Sequence, residues 1–266
     1  MVRERGRLTR WLAGAPSWAL VVFAIGTSFS TYFCMYAFRK PFSAAQFEGL
    51  SLFGTQIELK TAFVISQVIG YALSKYLGIK FCSEMTRGRR LSMLIGLVVV
   101  AEIALLLFAV LPPQLKIFAL FANGLPLGMV WGLVVWYLEG RRTSELLLAG
   151  LSCSFILASG VVKDIGRWLM GEHGVSEFWM PFATGLIFLL PFVISALLLD
   201  QLPDPDDDDE SERTHRVPMD RAHRISFLKR FLVPLAMLFF AYVFLTAYRD
   251  FRDNYGVEIF TELGYG

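Results

Sequence analysis

The run Trp18-Ala-Leu-Val-Val-Phe-Ala-Ile-Gly-Thr-Ser-Phe-Ser-Thr-Tyr32-Phe-Cys-Met-Tyr36-Ala-Phe-Arg39-Lys40 decides the fold class. No charge interrupts it between Trp18 and Phe38, and at 1.5 Å per residue that length matches the roughly 30 Å hydrocarbon core of a bilayer. It follows a basic leader, Arg3, Arg5, Arg7 and Arg10, but is too long for the apolar region of a signal peptide. The segment is therefore expected to stay attached as a membrane helix.

Working outward, six further apolar runs appear near residues 58–79, 91–111, 115–138, 145–163, 178–199 and 231–250. With 55% hydrophobic residues, 24 Phe and a mean hydropathy of +0.54, the chain holds more apolar surface than one soluble core absorbs. The expected fold is an all-α membrane protein: a basic N-terminus over residues 1–17, a six-helix bundle over 18–200, a charged linker over 201–230, and a seventh helix opening residues 231–266. The acidic run Asp204–Glu210, broken by Pro205, reads as solvated linker rather than a metal site.

Orientation follows from Lys and Arg, which gather on the cytoplasmic side of membrane proteins. An inside N-terminus places there Arg3, Arg5, Arg7, Arg10, Lys75, Lys80, Arg87, Arg89, Arg90, Arg141, Arg142, Arg213, Arg216, Arg221, Arg224, Lys229 and Arg230, which is 17 of the 25 basic residues. The expected location is a multi-pass protein of a bacterial cytoplasmic (inner) membrane. A net charge of +2 gives no footprint for a nucleic-acid partner. Cys34, Cys82 and Cys153 have neither the spacing of a zinc site nor that of a disulfide framework, and read as small buried hydrophobes. No cofactor, metal or covalent chemistry is expected, and no enzymatic activity.

Tyr32, Tyr36 and Arg39 are spaced by four and three, so one helical face presents two phenols and a guanidinium. A guanidinium fork fits phosphate or carboxylate with two hydrogen bonds, making a small anion the natural ligand. The competing reading has Arg39 and Lys40 snorkelling to headgroups at the end of a helix; a helix continuing to about Gln46 would instead bury Arg39 below its end. In the seventh helix Arg249, Asp250, Arg252 and Asp253 alternate in sign, and Arg249 is read as substrate-binding, Asp253 as coupling or gating. Lys75, Lys80, Glu84, Glu139 and Arg141 supply both signs near helix ends, where ion pairs made in one conformation and broken in another would bias alternating access. Glu102, in the middle of the third run, reads as a structural hydrogen bond, with proton coupling as the alternative. Lys163 and Asp164 read as an interfacial pair. Gly124, Gly128 and Gly132 form a smooth strip for close helix packing, to which the small residues Gly150, Ser152, Ser154, Ser159 and Gly160 answer.

Six helices, a long charged loop and a further helix resemble the first half of the major facilitator superfamily plus its seventh helix. The segment Tyr32-Phe-Cys-Met-Tyr36-Ala-Phe-Arg39-Lys40-Pro-Phe42-Ser-Ala-Ala45 is similar to the first-helix signature of the organophosphate:phosphate antiporters. Gly70-Tyr-Ala-Leu-Ser74-Lys75-Tyr-Leu-Gly78-Ile-Lys80 resembles the superfamily's loop between helices two and three, with Ser74 where that loop has aspartate. Ala247-Tyr248-Arg249-Asp250-Phe251-Arg252-Asp253-Asn254-Tyr255 is similar to the antiporters' seventh helix, whose arginine opposes the first-helix one. The fifth helix lacks the histidine these antiporters carry there, and an uncharacterised branch of the superfamily is the other reading. The resemblance implies alternating-access transport of a small organic anion, such as a phosphate ester exchanged for phosphate. It also implies partners: the lipid bilayer, the anion, and a missing C-terminal bundle or second subunit. A membrane ligand sensor on the same fold and a non-functional truncated fragment are the alternatives.

Overall fold

The computed structural model describes residues 6–83, 86–206, 209 and 220–264. The chain divides into two units, residues 1–211 and 212–266. In the first, a short helix α1 (Arg7–Ala13) precedes α2 (Ser17–Met35), α3 (Leu59–Ser83), α4 (Arg87–Val110), α5 (Lys116–Leu138), α6 (Ser144–His173) and α7 (Met180–Leu199). The second holds α8 (Arg221–Asn254) and α9 (Gly256–Glu262).

Among the described residues, six helical stretches are long and apolar enough to cross a membrane: Ser17–Phe38, Gly88–Val110, Pro113–Leu138, Ser144–His173, Met180–Leu199 and Arg221–Asn254. They make this an all-α, multi-pass membrane protein. Of the seven expected spans, α3 is the one outside this count, although it runs as a continuous helix packed along α5. It forms a helix of 25 residues, yet Lys60, Gln67 and Lys75 dilute its apolar content, and it is not among the six.

Three helix ends also differ from expectation. The first run does not continue as α-helix to residue 40 or to Gln46: it tightens into 3₁₀ turns at Tyr36–Phe38 and Pro41–Ala44. Pro41 has no N–H to offer the preceding turn, and its ring restricts Lys40, so the α-helix stops short of it. The fifth run extends to His173, where Gly174 in the left-handed conformation (φ 63°) closes α6 with the Gly174 and Val175 amides both donating to the Leu169 carbonyl. Asp164, on that extension, pairs with Arg167 at 2.5 Å. The seventh run begins at Arg221, inside the expected linker, because Asp220 caps it by accepting from the His223 amide at 2.7 Å.

Within the first unit α2 lies against α6 and α7, α4 against α5 and α7, and α3 against α5. The glycine strip makes the last contact possible. A Cβ at Gly124 would strike the Gln67 carbonyl and one at Gly128 the Tyr71 carbonyl and Ser74, while one at Gly70 would strike the Phe121 carbonyl. Gly124 and Gly128 therefore serve close packing against α3.

Side-chain ties define the two ends of this bundle. At one end Thr9 donates to Gln201 (3.0 Å), Tyr137 to Asp200 (2.9 Å), and Arg90 to the Trp136 carbonyl (3.2 Å). Arg141 there is buried and donates to the Pro203 carbonyl. At the other end Glu177 accepts from the Gln46 and Phe47 amides (3.1 and 3.4 Å), and Gln114 accepts from the Phe53 amide (2.8 Å). Phe47, Phe63, Phe108 and Phe178 pack there with ring centroids 5.1–6.1 Å apart. Buried Lys116 crosses Phe178 at 4.2 Å and donates to the carbonyls of Phe108 (2.5 Å) and Ala109 (3.0 Å) that end α4. Around the outside, Val22, Ile65, Ile69, Val100, Ile103, Ile156 and Leu190 stand exposed, as lipid-facing residues must.

Candidate functional site

The break in α2 leaves the Phe38 and Arg39 carbonyls without the amide partners a continuing helix would supply, and two buried side-chain amides take them. Asn123 Nδ2 donates to the Phe38 and Ala101 carbonyls, each at 3.0 Å. Gln67 Nε2 donates to the Arg39 carbonyl at 3.0 Å and to Asn123 Oδ1 at 2.8 Å. Irregular backbone at membrane depth is tolerated where protein satisfies it in this way.

These residues lie deep. At 1.5 Å per residue Gln67 is about 12 Å into α3, Asn123 about 10 Å into α5 and Glu102 about 12 Å from the end of α4. The chain from Tyr36 to Ala45 is also buried, apart from a half-buried Arg39. The α-helix stops before Arg39, and the Gln67 bond to the Arg39 carbonyl holds this stretch of chain about 12 Å in from the start of α3.

Its guanidinium lies over the Tyr71 ring, 3.9 Å from the centroid, and Lys75 Nζ approaches the same ring at 4.9 Å. Tyr71 is hydrogen-bonded to Tyr32. Tyr32 packs on Tyr36 (5.7 Å) and on Trp131 (4.9 Å), and Trp131 on Phe155 (6.0 Å). Two cations thus contact one aromatic ring, with two phenols and an indole beside them. Cation–π contacts contribute about 0.5–2 kcal/mol each, rising as water is excluded. The group offers a bidentate fork, an ammonium, phenolic donors and flat apolar walls, a combination suited to an anion carrying an organic portion.

The structure therefore brings together three of the expected substrate residues, Tyr32, Tyr36 and Arg39, and adds Tyr71 and Trp131. Gln67, Tyr71 and Lys75 repeat at intervals of four on α3, a spacing that points to one polar face within an apolar helix. Lys75, expected among the gating residues at a helix end, instead joins Arg39 at Tyr71, about 12 Å inside the C-terminal end of α3. Arg141 ties the α5–α6 turn to the chain leaving α7, and Glu139 ends α5 half-buried. Glu84 lies outside the described residues, as does the side chain of Lys80. Arg249, in the second unit, is exposed and pairs with Asp250 at 3.2 Å; Asp253 is half-buried near the end of the same helix.

Glu102 differs from its expected role. It is 5% exposed, and neither carboxyl oxygen has a hydrogen-bond partner. The carboxyl occupies the space left by Gly185 of α7, where a Cβ would strike it. Cys34 is buried as expected, whereas Cys153 is exposed. Among the described residues no group of three or more His, Cys, Asp or Glu is placed to hold a metal ion.

The family model described as "Family of unknown function (DUF5690)" matches residues 41–266. The chain belongs to that family. No curated protein and no solved structure matches it.

Proposed function

We propose that the protein is a secondary transporter of the major facilitator type that carries a small organic anion, with a phosphate ester exchanged for phosphate as the leading cargo. The observation behind this reading is the Arg39–Tyr71–Lys75 group, set where the α-helix of the first span gives way to 3₁₀ turns, about 10–12 Å in from one end of α3 and α5. Discontinuous helices near the midplane are where transporters place substrate sites, because the freed backbone and a buried charge are tolerable only beside a cavity or a ligand. The proposal rests on the first unit alone. The N-terminus is assigned to the cytoplasm because the end that carries α1 and the α3–α4 and α5–α6 turns is the basic one.

The test is counterflow in proteoliposomes loaded with inorganic phosphate, using labelled phosphate against a panel of phosphate esters and carboxylates. Uptake that requires an internal anion, and that is lost in Arg39→Lys while expression persists, is the expected result. Anion binding with no flux would make the protein a ligand sensor, and neither binding nor flux for any anion would end the proposal.

A further inference from the structure

Glu102 is charged chemistry in the wrong solvent, and the donors around it are already engaged. Asn123, one turn of backbone away through the Ala101 carbonyl, has its amide hydrogens directed to Phe38 and Ala101. Gln67 spends its own on Arg39 and Asn123. The Thr184 hydroxyl, beside Gly185, donates to the Met180 carbonyl at 2.9 Å.

No cation bonds either of its oxygens. The elements packed on α4 are α5, α7 and the Tyr36–Phe38 turn. Between Met180 and Leu199, α7 carries no ionisable side chain. The charge on α5 is Lys116, committed to the Phe108 and Ala109 carbonyls, and its phenol Tyr137 bonds Asp200 at the opposite end. The turn contributes Tyr36 and, just beyond it, Arg39, whose guanidinium lies over Tyr71, and buried Lys40. None of these is a hydrogen-bond partner of either Glu102 oxygen.

We propose that Glu102 is a proton-exchange site, a lone carboxyl that takes up and releases one proton in the seam between α4 and α7. A carboxylate in apolar surroundings with neither donor nor counter-ion is strongly disfavoured, whereas the same group carrying a proton is tolerated. Proton occupancy is therefore linked to whether the α4–α7 seam is closed around the group or opened to water, and the absent side chain of Gly185 is what leaves room for it. The inference does not depend on what cargo, if any, the protein carries.

The full chain in phospholipid nanodiscs, followed by infrared spectroscopy through a titration over about pH 5 to 9, tests this. The expected result is a carboxylic-acid carbonyl band that shrinks reversibly as pH rises and is missing in Glu102→Gln. A band that does not titrate, that survives in Glu102→Gln, or that is absent from the unmodified protein overturns the proposal. Loss of the band on adding sodium at fixed pH also overturns it, in favour of a metal-cation site. If Glu102→Gln does not fold, a hydrophobic carbodiimide on the unmodified protein replaces it. Peptide mapping is expected to find the adduct at Glu102, with a yield that falls as pH rises; a pH-independent yield, or no adduct there, refutes the site.

Discussion

At the scale of single residues, Arg39 and Asn123 carry different burdens and fail differently. Arg39→Lys keeps a cation over Tyr71 but loses the planar fork, so stabilisation by saturating anion disappears. For the unmodified protein that stabilisation is about 2.7 kcal/mol at a ligand concentration one hundred times Kd, read as a shift in thermal unfolding. Asn123→Leu leaves the Phe38 carbonyl and one hydrogen of the Gln67 amide without partners in the interior. At roughly 1–3 kcal/mol for each orphaned group, this change lowers unfolding temperature far more than Arg39→Lys does, with or without anion. Sequence alone singled out Tyr32, Tyr36 and Arg39 by their spacing, although the chain leaves the α-helix before Tyr36. It did not reveal Asn123, since a lone Asn in an apolar run signals only tolerance; its value lies in carbonyls contributed by α2 and α4, which no local pattern encodes.

At the scale of elements, the α3–α5 crossing and the start of α8 make separate predictions. Gly124→Val places a branched side chain against the Gln67 carbonyl and the Tyr71 amide, backbone atoms that cannot rotate away. The helices must separate, at a cost on the order of 1–3 kcal/mol or more, and Arg39–Tyr71 geometry is disturbed without touching either residue; anion-dependent stabilisation weakens in the same melting assay. At α8, the His223 amide and ring hold the Asp220 carboxyl below its ordinary range. A depressed folded value means the capping contribution is present above the unfolded range and is lost as pH falls through the lower folded one. Hydrogen exchange at the His223 and Arg224 amides is expected to gain protection loss only in strong acid, and Asp220→Ala should abolish that step. Helix number and type were readable from apolar runs, because bilayer thickness fixes their length. The ends were not: Pro41 stopped α2 early, Gly174 let α6 run on past three charges, and an Asp cap pulled α8 back into residues that compose like a linker.

For the molecule as a whole, asymmetry of basic residues and the two sets of end ties carry the prediction. Single cysteines placed at Thr86, in the α3–α4 turn, and at Thr55, in the loop after α2, should react with an impermeant maleimide from opposite sides of the membrane, Thr86 from the cytoplasm. Labelling of both from one side would contradict an alternating bundle. The first unit packs its helices on one another and buries the Phe47–Phe63–Phe108–Phe178 cluster internally, so residues 1–211 expressed alone should insert and stay monodisperse in detergent. The apolar signal is weakest at α3, where Lys60 and Gln67 are buried in the bundle and Lys75 is exposed.

The Asn123–Gln67 tie has a mechanical corollary. Two short side chains rivet the broken strand of α2 to three neighbouring helices at one depth, so none of the four can pivot there without shearing several bonds at once. Any rocking motion must treat that slab as a single lever and place its fulcrum elsewhere, and against α7 the slab is held by fewer polar ties, among them the Ser30–Ser195 hydroxyl contact at 2.7 Å.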